Sequence, residues 1–132
     1  MKRHFYTGKG IGVAMLDTGI YPHIDFGDRI WGFCDFVSNK KQIYDDNGHG
    51  TCVAGILGGS GAASDGRYRG MAPECGLVAL KVLDRFGNGS RVDVLRAFSW
   101  IIMNREQYRI RVVNISVGTT YRTRNDHDDL VR

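Results

Sequence analysis

Asp17 and His49 are the residues of this sequence best set to move a proton. Asp17 ends an apolar run and opens the turn Asp17-Thr18-Gly19, while His49 lies between Gly48 and Gly50, 32 positions further on. A carboxylate in such a setting does one of two kinds of work. With a second aspartate of the same kind it shares a proton and activates water. Beside an imidazole it accepts one ring N–H, fixes the tautomer and stabilises the imidazolium that forms when the histidine takes a proton from a nucleophile. Cys52, one helical turn after His49, raises thiol chemistry, but its side chain is expected to pack inward. His49 and Cys52 also lack the second ligand pair that a tetrahedral metal site needs, so no metal is expected. His4, His23 and His127 have no comparable surroundings and are expected at the surface.

The elements around these residues decide between the two chemistries. Residues 11–16 (IGVAML) form an unbroken apolar run, the pattern of a strand buried on both faces of a parallel sheet. Residues 29–37 are rich in aromatic and β-branched types and read as a second strand. The run HGTCVAGILGG, from His49, reads as a helix of small residues. Residues 60–70 form a Gly-rich loop, and 77–83 (LVALKVL) are a further buried strand closed by a turn at 84–89. Ser90 with Asp93 has the form of a capping box, followed by Val94, Leu95, Phe98, Ile101 and Ile102 as an expected core stripe. Residues 111–117 (RVVNISV) make the last strand, and Asn125-Asp126 could cap another helix. Strands alternating with helices predict an α/β protein with right-handed crossovers. A water-activating aspartate pair on an almost all-β scaffold has no place for these helices.

The order of motifs resembles the subtilisin-like serine proteases, the subtilases. VAMLDTGI carries the aspartate motif and NGHGTCVAGI the histidine motif; RGMAPECGLVALKVL, GNGS and VVNISVG follow in the family's order, from about Lys9 to Gly118. The resemblance implies a partial subtilisin-like three-layer α/β fold, mostly parallel sheet with crossover helices. It implies Asp17 as the orienting acid and His49 as the general base of a serine endopeptidase triad. It also implies Ser116-Val117-Gly118 as one wall of the substrate cleft and Gly87-Asn88-Gly89 as the other, with an extended peptide adding between them as a strand. Asp25 resembles a position that often helps bind structural calcium, but the 60–70 loop lacks the carboxylates calcium prefers, so calcium is doubtful and no cofactor is expected. Cys52 departs from the family's frequent HGTH.

The family's nucleophile segment, of GTSxA type, and its oxyanion-asparagine segment, of AxGN type, do not occur here. Ser38, Ser60, Ser64, Ser90, Ser99 and Ser116 all lie in other settings, and Asn114 reads as a structural strand residue. Residues 1–132 are therefore expected to be the N-terminal part of a catalytic domain, inactive alone, whose partner is the C-terminal half or a second copy. The alternative is a non-catalytic peptide-binding module, a pseudoprotease that retains the groove. Composition agrees with a globular domain: 132 residues, 42% apolar and 24% charged, with 18 glycines. The +4 charge is scattered, without a groove-reading motif, which argues against nucleic acid. Three cysteines without a CxxC pair argue against a disulfide scaffold, and all three are expected as buried thiols. No run approaches the roughly 18 apolar residues of a membrane span, and the N-terminus lacks a signal-peptide pattern. The compartment is left open.

Overall fold

The computed structural model describes residues 6–118 together with the two-residue strand Leu130–Val131. In chain order the elements are β1 (Gly12–Asp17), β2 (Ile30–Asp35), α1 (His49–Gly58), β3 (Gly76–Lys81), β4 (Gly89–Ser90), α2 (Arg91–Asn104), β5 (Ile110–Ile115) and β6 (Leu130–Val131). A 3-10 turn, Ile24–Phe26, lies between β1 and β2. β2, β3, β1 and β5 form one parallel sheet in that order. β4 pairs antiparallel with β6. His4, His127 and Asn125-Asp126 fall outside the described residues, but the helix expected to follow Asn125-Asp126 is not what the chain forms at Leu130–Val131, which pair as strand β6 with β4.

Strand alternation builds two cores, because successive side chains leave a strand on opposite faces. Val13 and Met15 of β1 join Leu77 and Ala79 of β3, and these pack with Ala54, Val53 and Leu57 of α1. Ala14 and Leu16 join Val78 and Leu80 on the other face, against Val94, Ala97 and Ile101 of α2. The result is helix, sheet, helix, as expected. By the same parity, Asp17 and Lys81 follow Met15 and Ala79 onto the α1 face, which is where α1 begins with His49.

The crossovers do not all have the expected hand. The β1-to-β2 connection, through buried Phe26, and the β2-to-β3 connection, through α1, lie on the same face but travel in opposite directions across the sheet. They therefore have opposite hands. The β3-to-β5 connection travels as β2-to-β3 does but on the opposite face, so it shares the hand of β1-to-β2. With those two right-handed, as parallel connections overwhelmingly are, the α1 crossover is left-handed. Residues 36–48, which lead into that crossover, are tied over the C-terminal end of β1. Ile20 N–H donates to Tyr44 O at 3.2 Å, and Gly19 bridges Asp45.

α2 starts as predicted: Ser90 Oγ accepts from Asp93 N–H at 3.2 Å. Its core stripe is Val94, Ala97 and Ile101, with Phe98 half-buried; Leu95 and Ile102, expected inside, are 54% and 77% exposed. They lie about 100° round the helix from Val94 and Ile101, beyond the edge of the face that meets the sheet.

Candidate active site

β1 ends at the C-terminal edge of the sheet, where open α/β sheets place their sites. Asp17 is 1% exposed, and its Oδ1 accepts the Thr18 N–H at 2.7 Å and lies 2.8 Å from His49 Nδ1. An ionised carboxylate only accepts, so the geometry places the proton on Nδ1 and leaves Nε2 as the free acceptor. The His49 side chain is 55% exposed, open to solvent. Asp17 Oδ2 is the single buried side-chain oxygen or nitrogen without a hydrogen-bond partner among the described residues.

Two glycines let His49 reach Asp17. Gly48, which precedes α1, has φ 101°, a left-handed conformation that a side chain resists. Gly50 lies so close to the Asp17-Thr18-Gly19 turn that a Cβ there would collide with Gly19 O and crowd Thr18 Oγ1.

Asp45 clamps the turn to the helix. Its Oδ1 accepts from Thr18 Oγ1 at 2.9 Å and from the N–H groups of Asn47 and Gly48, while Oδ2 accepts from the hydroxyl and N–H of Thr51. Thr18 Oγ1 in turn accepts the Gly50 N–H at 2.8 Å. Burial alone would raise the Asp45 carboxyl, but the Thr51 hydroxyl and the N–H groups of Gly48, Thr51 and Asn47 outweigh it and hold it at about 2. Neither Asp45 nor the buried Lys81 stands out in the sequence reading. A lysine inside the apolar run LVALKVL was the available signal.

A cleft of about 210 Å³ is lined by Thr18, Asn47, His49, Leu83, Gly87 and Ser116. It brings together His49, Gly87 and Ser116 of the expected residues. Asn88, Gly89, Val117 and Gly118 adjoin the cleft in sequence without lining it. Val117 packs toward α2, and Gly89 is paired through β4. Asn114 Nδ2 donates to Ser116 Oγ at 2.8 Å, a bond within the strand end.

Asp25 Oδ1 accepts the Ala63 N–H at 2.7 Å, and no group of three His, Cys, Asp or Glu suited to a metal occurs among the described residues. The cysteines correct the sequence reading in part. Cys75 is buried and Cys34 half-buried, and burial pushes both thiols up; Cys52 is exposed. α1 buries Gly50, Ala54 and Gly58, so Cys52, two residues beyond Gly50, points away from the sheet. No helix among the described residues is long and apolar enough to cross a membrane.

The model of the subtilase family matches residues 8–131. The chain belongs to the subtilase family. It is 47% identical over 132 residues to the serine protease AprX of Bacillus subtilis, covering 96% of this chain and 30% of AprX. It is 42% identical over 124 residues to the minor extracellular protease Epr of the same organism, covering 92% of this chain and 18% of Epr. A cold adapted subtilisin-like serine proteinase of known crystal structure superposes with TM-score 0.66 and 35% identity, over 75% of this chain and 34% of that one. This subtilase chain thus spans about a third or less of these relatives. The superposition supports the α/β architecture, and the family match includes both the Asp17 turn and the His49 helix.

Proposed function

We propose that this subtilase chain supplies the acid and the base of a serine endopeptidase, Asp17 orienting His49, for a serine carried outside these 132 residues. The observation that carries the reading is the 2.8 Å contact between a buried carboxylate and the Nδ1 of an imidazole that lines a cleft. His49 takes the serine proton as the hydroxyl attacks the peptide carbonyl, and Asp17 stabilises the imidazolium. His49 then returns the proton to the leaving amine. An extended peptide lies between Gly87-Asn88-Gly89 and Ser116-Val117-Gly118, held mainly by main-chain hydrogen bonds. The 132 residues alone do not hydrolyse peptides, because no serine among them has the nucleophile's setting. The nucleophile-bearing part of the same protease packs along the exposed edge of β5.

The test is hydrolysis of a fluorogenic peptide by the complete protease, compared with Asp17→Asn and with the 132 residues alone. Asp17→Asn should lower kcat by about 10⁴-fold, the loss seen when a triad carboxylate becomes an amide. The 132 residues alone should show no turnover. Full activity in Asp17→Asn would favour the peptide-binding alternative, with hydrolysis arising elsewhere.

A further inference from the structure

Lys81 is the most buried cation of the described chain, 1% exposed at the end of a strand otherwise wholly apolar. An ammonium is tolerated there only if its three protons are used. They are: Nζ donates to Thr18 O at 2.6 Å, to Leu83 O at 2.7 Å and to Asp46 Oδ1 at 2.8 Å. The Tyr44 ring stands 5.1 Å from Nζ, completing the enclosure. Tyr44 is itself held by Asp35, whose Oδ2 accepts its hydroxyl at 2.6 Å. Burial and that carboxylate push the Tyr44 hydroxyl well above its ordinary range, so it stays neutral and does not compete for Lys81.

The three acceptors belong to three different parts of the site. Thr18 O is in the turn that carries Asp17. Asp46 is in the loop that delivers His49. Leu83, which lines the cleft, is bridged to Gly89 and begins the arm that holds Gly87. No other side chain among the described residues reaches all three. Asp45 joins the first two but not the cleft arm.

We infer that Lys81 is a positioning residue of the site, one ammonium that sets the acid's turn, the base's loop and the substrate arm in fixed relation. The inference rests on the reading of Asp17 and His49 as acid and base. Lys81 touches neither substrate nor the transferred proton. Its part is to remove the freedom of the elements that do, which is where positional precision contributes most to such sites. Removing the ammonium strands Thr18 O and Leu83 O without a donor, so turn and arm must both shift to find water.

The test uses the His49 Nδ1 proton, observed by NMR on the full chain, with its solvent-exchange rate as the readout. Lys81→Met should speed that exchange about tenfold or more, as expected when buried carbonyls lose their donor. It should also move the amide signals of Thr18, Leu83 and Gly87 together. Asp46→Asn, which cuts only the ion pair at a half-exposed carboxylate, should give a rate between the two. Ile101→Val, a core change beneath α2, serves as the control: it lowers stability without touching the three arms and should leave the exchange rate unchanged. The inference is overturned if Lys81→Met leaves the rate unchanged, or if Ile101→Val speeds it as much. Should Lys81→Met fail to fold, Asp46→Asn decides, and a wild-type rate there overturns the inference. The exchange measurement involves no hydrolysis, so absence of peptidase activity in the complete protease would contradict the proposed function and leave this result standing.

Discussion

At the scale of residues, the site is a buried carboxylate held rigid and an imidazole brought to it. Asp17 and His49 were legible in the sequence because proton transfer restricts residue type and the glycines around His49 mark a close approach. Asp45 and Lys81 were not, because each acts on partners far along the chain: Thr18 lies 27 positions from Asp45 and 63 from Lys81. Only folding makes such residues neighbours, and a single charged residue in a loop or strand gives no sign of what it will meet. Asp45 makes a pH prediction. Its folded carboxyl sits at about 2, below its ordinary 3.8, so the stabilisation is fully present above the ordinary value and is lost as pH falls through the folded one. Asp45→Asn should therefore be clearly less stable than wild type at pH 6, with the difference shrinking between about pH 4 and about pH 2. Urea unfolding at several pH values measures it. A constant difference across that range would mean the Asp45 charge contributes nothing.

At the scale of elements, the four strands of the parallel sheet were legible to within a residue or two, and α2 from its Ser90 cap, whereas the short pair β4 and β6, read as turn and helix, was not. The hand of the α1 crossover was not, because it depends on strand order and on which face α1 covers, which are set by contacts between residues far apart in the chain. Leu95 and Ile102 were misplaced for a related reason: helical periodicity marks an apolar arc, and the sheet covers only part of it. The meeting of α1 with the Asp17 turn depends on Gly50. Gly50→Ala should push the helix start off Gly19 O, at a cost of about 1–3 kcal/mol of stability, the usual range for forced overpacking. The His49 Nδ1 proton signal should weaken in the same variant. Wild-type stability and signal would show that the approach is looser than the geometry implies.

At the scale of the molecule, β5 is paired among the described residues through β1 alone and leaves Val112, Val113 and Ile115 exposed, with Ile102 and Met103 of α2 exposed as well. An apolar edge strand of this kind is a template for another strand. The 132 residues alone should self-associate through it, and Val113→Lys should shift the population toward monomer in sedimentation velocity. A monomeric wild type at high concentration would contradict this.

The central claim is that these residues provide acid and base for a serine carried elsewhere. Fluorophosphonate labelling followed by intact mass tests it most directly. The account predicts that the 14.7 kDa chain alone stays unlabelled, and that the nucleophile-bearing polypeptide takes the label only when His49 is intact. A label on the 132-residue chain itself would mean that one of its own serines is activated, and the assignment of the nucleophile would be wrong.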